Sequence, residues 1–219
     1  MDKILRIDVG AAGGPKAVVT PLGEYEGMGG RGMTSMVVLK EVPADCHPLG
    51  PENKIVIAPG MLTGSAASTS GRISVGCKSP LTGGIKEANA GGQAGQTLAR
   101  LGYAAIILEG AAPANACYKV LINKDGVQIS DATDYKGLLN YDLIEKIKAA
   151  HGEKVAVMSI GPAGEMKMAA ATIAVTDREM RPSRHAGRGG VGAVMGTKGI
   201  KAIIIDDAGT KMRKPLNPE

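Results

Sequence analysis

Two glycine-rich stretches hold the residue types best suited to chemistry in this sequence. The first runs Gly71-Arg72-Ile73-Ser74-Val75-Gly76-Cys77-Lys78-Ser79-Pro80-Leu81-Thr82-Gly83 and continues to Ala88-Asn89-Ala90-Gly91-Gly92. The second runs Arg184-His185-Ala186-Gly187-Arg188-Gly189-Gly190-Val191-Gly192-Ala193-Val194-Met195-Gly196-Thr197-Lys198. In each, glycines open a helix whose first N–H groups lack an intrahelical acceptor, and the missing Cβ lets an anion come close. A neighbouring arginine adds a charge-assisted hydrogen bond worth about 1.5–3 kcal/mol. A second reading needs no ligand, since glycines also permit close packing of helix on sheet. Two such stretches, each with its own arginine, favour anion binding. Gly187, Gly189 and Gly192 also fit the dinucleotide pattern GxGxxG. However, Arg181-Pro182-Ser183-Arg184-His185 stands where a buried first strand should precede it, and no acid-tipped second strand follows.

The elements that must position these stretches are legible in outline. Lys3–Asp8 and 16–20 read as strands around a glycine turn, 33–42 as a helix ended by Pro43, and 54–58 and 72–78 as short strands. Residues 93–101 read as a helix stopped by Gly102, followed by a buried strand over 104–109. A hairpin about Lys124-Asp125-Gly126 joins 118–123 to 127–130, and 141–150 is an amphipathic helix with Leu143, Ile144 and Ile147 on one face. Further strands fall at 154–160, 171–175 and 201–206, with a short helix over 191–197. Strands outnumber helices without strict alternation, so the expected class is α+β with a large mixed sheet, in one domain over residues 1–219. A weak internal echo relates Ala90-Gly91-Gly92, helix, Gly102 and 105–108 to Arg188-Gly189-Gly190, helix, Gly199 and 202–205. Chance in a glycine-rich chain and a true pseudo-twofold repeat both account for it.

Composition narrows the function. The 219 residues include 32 Gly, five Tyr, and no Phe or Trp, so the stacking platforms of single-strand nucleic-acid binders are nearly absent. The net charge of +5 arises from basic residues placed singly beside glycines, which suits a few discrete phosphates better than a long polyanion. Cys46, Cys77 and Cys117 show no CxxC spacing and write neither a disulfide framework nor an iron–sulfur or zinc site. No apolar run is long enough for a membrane span, and the start alternates like a strand, so the expected setting is the cytoplasm, with no membrane or nucleic-acid partner.

A set of linked motifs in order resembles the aldehyde ferredoxin oxidoreductase family. They are Gly30-Arg31-Gly32, Pro48-Leu49-Gly50-Pro51-Glu52-Asn53-Lys54, Leu62-Thr63-Gly64, and Arg72 with Lys78-Ser79-Pro80-Leu81-Thr82-Gly83. Asn89 with Gly91-Gly92, then Leu101-Gly102-Tyr103-Ala104-Ala105-Ile106-Ile107-Leu108-Glu109-Gly110 and Ser159-Ile160-Gly161-Pro162-Ala163-Gly164-Glu165 follow. The series ends with Gly187-Arg188-Gly189-Gly190-Val191-Gly192-Ala193-Val194-Met195-Gly196 and Lys201-Ala202-Ile203. The resemblance implies the N-terminal domain, a base for tungsten (or molybdenum) held between two pterins, with magnesium bridging the pterin phosphates. It implies that Arg72 and Arg184 hold pterin and phosphate groups, that Ala90, Gly91, Gly92, Ala186, Gly187 and Arg188 lie along the cofactor, and that the main-chain carbonyls of Asn89 and His185 face the magnesium. His185 stands where a small residue is usual, a change that a main-chain ligand tolerates. Arg31 is either a helix-start surface residue or a cofactor contact, and Lys78 either reaches the phosphates or is solvated. Glu165 and Asp177 read as charged loop residues without a catalytic case.

In the family the cysteines of the [4Fe–4S] cluster, and the acid and histidine beside the tungsten, lie in later domains. No catalytic residue is therefore expected here. The implied activity, aldehyde to carboxylic acid with electrons passed to ferredoxin, needs a chain carrying the remaining domains. A non-catalytic pterin carrier and an interaction protein with an empty site share the same residues and stay open beside it. A face that normally packs on later domains makes a homo-oligomer or partner interface a further expectation.

Overall fold

The computed structural model describes residues 1–214. Its first half is built from β1 (Lys3–Asp8), β2 (Lys16–Pro21), a 3-10 turn at Gly23–Tyr25, α1 (Gly30–Glu41), β3 (Ile55–Pro59), β4 (Ile73–Lys78), β5 (Ile85–Ala90), α2 (Ala94–Arg100) and β6 (Tyr103–Glu109). The second half repeats that order. It comprises β7 (Tyr118–Asn123), β8 (Gly126–Asp131), a 3-10 turn at Thr133–Tyr135, α3 (Asn140–His151), β9 (Ala156–Ser159), α4 (Pro162–Glu165), β10 (Ile173–Val175), β11 (Arg184–Ala186), α5 (Val191–Thr197) and β12 (Ile200–Ile205). Among these helices and strands α4 alone lacks a counterpart.

Each half folds into one six-stranded sheet. The first has the order β2-β1-β6-β3-β4-β5, and the second, read from its far edge, β8-β7-β12-β9-β10-β11. In both, the first and last strands pair parallel, and the register slips at the start of that pairing. The α+β class stands, with the mixed sheet divided in two. The internal echo is thus one part of a repeat that takes in the whole architecture.

Packing explains why some strands are apolar runs rather than alternating ones. Leu5, Ile106 and Leu108 of the first sheet meet Met158, Ile203 and Ile205 of the second in one shared core, which also takes Leu98 of α2 and Val194 of α5. The opposite faces of the sheets are covered separately. Met33, Val37 and Val38 of α1 pack on Ile4, Val56 and Ile107, and Leu143, Ile144 and Ile147 of α3 pack on Val157, Ala202 and Ile204. A central strand such as β6 is therefore buried on both faces, and period-two alternation disappears from it. Three elements escaped the sequence reading: β5, β11 and the four-residue α4. Both strands are sheet edges with polar, partly exposed residues, so neither carries an apolar signal.

Two basic side chains, each near the end of a core helix, fasten the halves to each other. Lys198, just after α5, is fully buried and donates to the carbonyls of Asn53 and Gly110, each at 2.5 Å. Arg100, at the end of α2, donates from Nη1 to Asp207 Oδ2 at 3.0 Å. A third charged group lies under α1. Glu41 takes Arg6 Nη2 at 2.6 Å, Lys54 Nζ at 2.7 Å and the Tyr25 hydroxyl at 2.8 Å.

Both charge sites make stability depend on pH. Burial pushes the Glu41 carboxyl up, but the hydrogen bonds from Arg6, Lys54 and Tyr25 outweigh it and bring it down from 4.5 to about 2. Its contribution is complete above pH 4.5 and is lost as the pH falls toward 2, because the unfolded chain takes up the proton first. Glu41→Gln should cost about 1–3 kcal/mol at neutral pH and flatten the acid limb of a urea-midpoint profile. Burial pulls the Lys198 ammonium the other way, from 10.5 down to about 8. Between those values the unfolded chain holds a proton that the folded chain has released, so this residue's contribution to stability rises with pH. The stability of the wild type relative to Lys198→Met should climb by about 1–3 kcal/mol from pH 8 to 10.5, read from the same midpoints.

Candidate cofactor site

The edges of the two sheets, β5 and β11, come together, and the arginine-bearing turns come with them. Arg72 enters β4, whose pairing with β5 sets Ser74 opposite Asn89. On the other side, β10 sets Ala174 opposite His185. The seam is closed by the Gln93 N–H, which donates to the Thr176 carbonyl at 2.9 Å.

Two neighbouring hollows open along this seam. The first, of about 560 Å³, is walled by Arg72, Gly91 and Gly92 from one half and Arg178, Arg181 and Arg184 from the other. The second, of about 780 Å³, is walled by Arg31, Arg72, Lys86, Glu87 and Asn89 from one half and His185, Gly187 and Arg188 from the other. Arg72 stands in the wall of both. Its Nε donates to Asn89 Oδ1, and Asn89 in turn donates to Ser74 Oγ at 3.2 Å, so the guanidinium is held from behind. His185 Nδ1 lies 2.9 Å from Thr172 Oγ1.

The electrostatics are one-sided. In the second hollow four cations face one carboxylate, Glu87, and Glu87 already accepts from Arg31 Nε at 3.2 Å. In the first, Asp177 and Glu179 are both engaged by Arg181, which leaves Arg72, Arg178 and Arg184 without a carboxylate partner among the described residues. A cleft with this excess attracts anions and strengthens their hydrogen bonds.

The glycines divide into two kinds. A Cβ on Gly91 would find only Arg72 Nη1, at 3.7 Å, and one on Gly187 would find nothing closer than 3.9 Å. These two face open space where a ligand can approach the backbone. Gly92 lines the first hollow, but its φ is +100° and a Cβ would lie 2.5 Å from the Thr176 carbonyl. Gly189, Gly190, Gly192 and Gly196 are likewise filled by neighbouring atoms. The glycines therefore split between open positions, at Gly91 and Gly187, and close-packing ones. Ala90 and Ala186 turn their side chains into the core and offer only main chain to a ligand.

Several residues sit elsewhere than the sequence implied. Lys78 is neither at the hollow nor solvated: it is buried, with Nζ donating to the carbonyls of Ala44 and, at 2.7 Å, Cys46. Glu165 belongs to α4, where it accepts from the buried Lys201 and from the Gly137 N–H at 2.9 Å. Asp177, read as a plain loop residue, organises the loop that carries Arg178 and Arg181. It is 7% exposed and accepts from the Glu179 and Arg181 N–H groups, Arg181 Nε and the Ser183 hydroxyl. Although burial raises it, these bonds hold its carboxyl below the usual range. Sequence reasoning missed Arg178, Arg181 and Lys86. The Asp177-x-x-x-Arg181 spacing was the one available signal. The three cysteines are all buried, and burial pushes the Cys77 thiol up to about 12. Among the described residues no group of three or more His, Cys, Asp or Glu is arranged to hold a metal ion. No helix among them is long and apolar enough to cross a membrane.

Paired six-stranded sheets, with an arginine from each half in the wall of one hollow, are an architecture that comparison with known proteins places in a family. Residues 4–207 match the family described as aldehyde ferredoxin oxidoreductase, N-terminal domain, and the chain belongs to that family. It is 44% identical over 184 residues to a tungsten-containing aldehyde ferredoxin oxidoreductase of Pyrococcus furiosus, covering 84% of this chain and 29% of that one. Another, from Thermococcus kodakarensis, is 43% identical over 180 residues, covering 82% and 29%. The WOR-like subunit of an aliphatic sulfonate oxidoreductase of Pyrococcus furiosus is 33% identical over 198 residues, covering 83% of this chain and 30% of that one. Among solved structures, the active-site complex BamBC of benzoyl coenzyme A reductase, in complex with 1,5-dienoyl-CoA, superposes with a TM-score of 0.84. The identity is 33%, and the match covers 96% of this chain and 31% of that one. The chain thus spans less than a third of the length of these relatives.

The two adjacent glycines give a direct test of the sorting above. Gly92→Ala should lower stability by about 2 kcal/mol or more, from the left-handed φ and the overlap with Thr176. Gly91→Ala should leave the denaturation midpoint within about 0.5 kcal/mol of the wild type.

Proposed function

We propose that this chain is the cofactor-cradling part of a tungsten (or molybdenum) pterin oxidoreductase that oxidises aldehydes to carboxylic acids and passes the electrons to ferredoxin. The observation that carries this reading is Arg72 and Arg184, one from each half, in the wall of a single hollow. When bound, the metal–pterin group supplies the redox chemistry. This chain's residues bind and orient it. Arg72, Arg184 and Arg188 donate to phosphate and pterin oxygens, while the main chain at Ala90, Gly91, Gly92, Ala186 and Gly187 lets the ligand lie close to the backbone. Asn89 and His185 both line the second hollow, and their main-chain carbonyls would hold a magnesium ion that accompanies the phosphates.

The donor set fits such a ligand. The hollows present cations and open main chain, as phosphates require. Among the described residues Cys46, Cys77 and Cys117 belong to no metal-holding group, so in this reading any [4Fe–4S] cluster, and the acid–base groups, lie on the remaining length of the enzyme, on a further segment or a partner chain. The aldehyde assignment rests on the 43–44% identical relatives.

The test is metal and pterin content together with aldehyde-dependent dye reduction, measured on this chain assembled with the rest of the enzyme. Arg72→Ala with Arg184→Ala should lower bound tungsten and pterin at least about tenfold while the fold persists. Retention of the full complement by that double variant overturns the reading. Full cofactor without aldehyde oxidation in the assembled wild type assigns a carrier role instead.

A further inference from the structure

The one helix outside the repeat, α4, takes part in a third hollow for which the first half has no equivalent parts. Its wall is shared by Glu165, Met166 and Lys167 at the end of α4 and by the connection between the halves, residues 112–117, which likewise occurs once. The parallel pairings β1–β6 and β7–β12 each skip one residue, Ala104 in the first half and Lys201 in the second, so these two are counterparts. Where the first half buries an alanine, the second buries an ammonium group. Lys201 Nζ donates to the Leu138 carbonyl at 2.9 Å and to Glu165 Oε1. Glu165 also accepts from the Gly137 N–H at 2.9 Å, so the pair ties α4 to residues 136–138.

That tie sets two further lysines in the wall of the hollow, whose volume is about 300 Å³. Lys136 leaves the 3-10 turn, its N–H on the Thr133 carbonyl at 3.2 Å. Lys167 follows α4, its N–H on the Gly164 carbonyl at 2.9 Å and its φ at +57°, a left-handed conformation uncommon for a lysine. Both are exposed, and neither has a carboxylate within 4.0 Å among the described residues. Glu165 is the one carboxylate in the wall, and Lys201 and Gly137 already engage it. Asp131, outside the wall, is taken up by the Thr133 N–H at 2.9 Å and the Thr133 hydroxyl at 3.0 Å. Ala112, Pro113, Ala116, Ile160 and Ile200 make much of the remaining lining apolar. Two unpaired cations thus border an apolar hollow with no free acid against them.

We propose that this hollow binds a small carboxylate with an apolar body, its head on Lys136 and Lys167 and its body against the connection and the start of β12. Burial of the body removes apolar surface from water, and the two ammonium groups give the head charge-assisted hydrogen bonds. A phosphate dianion suits the hollow less. The cost of taking a charge out of water grows with its square, and the Thr197 hydroxyl and Cys117 thiol in the wall already donate to the carbonyls of Val194 and Ala132. The site shares no residue with the two hollows of the seam and stands whether or not the pterin reading holds.

The experiment is a calorimetric titration of the full chain with benzoate and, separately, with hexanoate, in an Arg72→Ala/Arg184→Ala background that weakens anion binding at the seam. Benzamide and inorganic phosphate are the comparison ligands. One carboxylate per chain should bind, and benzamide and phosphate should each bind at least about tenfold more weakly. Adding Lys136→Gln and Lys167→Gln, at exposed and unpaired residues, should weaken carboxylate binding about tenfold, with the thermal midpoint and benzamide binding unchanged. Tighter binding of benzoate assigns an aromatic body, tighter binding of hexanoate an aliphatic one, and equal binding either. No carboxylate binding at millimolar concentration, benzamide or phosphate bound as tightly, or indifference to the two lysine substitutions overturns the proposal.

Discussion

Everything at the candidate site depends on how closely the two halves approach at Gly92 and Thr176. The backbone at Gly92 has a φ of +100°, and the Thr176 carbonyl occupies the place of a side chain. The next N–H, of Gln93, donates to that same carbonyl. This contact joins the first turn of α2 to the end of β10. It thereby fixes the distance between the turn carrying Arg72 and Gly91 and the loop carrying Arg178, Arg181 and Arg184. Arginines already ordered at a set separation lose less side-chain entropy when an anion arrives. Here the shared core, the seam hydrogen bond and the Asp177 loop do that ordering in the folded chain.

The internal repeat makes the site possible, and its imperfections give the site its character. A strict twofold would place the same groups on both sides. Instead β5 contributes Lys86, Glu87 and Asn89, whereas the three-residue β11 contributes Arg184, His185 and Ala186. The long loop after α1 buries Lys78 and supplies an acceptor to Lys198, whereas its counterpart after α3 is residues 152–155 alone. Buried ammonium groups coordinated by carbonyls are costly to desolvate. They persist here where they bind loops and halves together, as Lys198 does across Asn53 and Gly110.

Membership of the family and the share of its length that this chain spans bear on the chemistry in different ways. The match over residues 4–207 accounts for the paired-sheet base. The relatives named for aldehydes, for aliphatic sulfonates and for benzoyl coenzyme A resemble this chain over the same part, so the base is common to enzymes of different names. What this chain contributes is a cationic, pre-ordered floor.

The sequence by itself determined most of the local facts: all of the strands and helices but β5, β11 and α4, the glycines that open helices, and the arginines that stand beside them. These follow from hydrophobic period, from turn residues and from the lack of a Cβ, all properties of short windows. The excess of strands over helices without strict alternation carried the α+β class, and the motifs in order carried the family. Tertiary structure alone decided three matters. The sheet divides in two because each half closes its own first and last strands in parallel, a pairing between residues about a hundred positions apart that no local window contains. The site-bearing strands β5 and β11 are polar edges, and become strands only because β4 and β10 offer them hydrogen bonds. Lys78, Asp177 and Arg178 look alike in sequence, as charged residues near glycines or loops. Which one is buried on carbonyls, which organises a loop and which faces a hollow depends on the chain packed around each, and burial is a property of the whole fold.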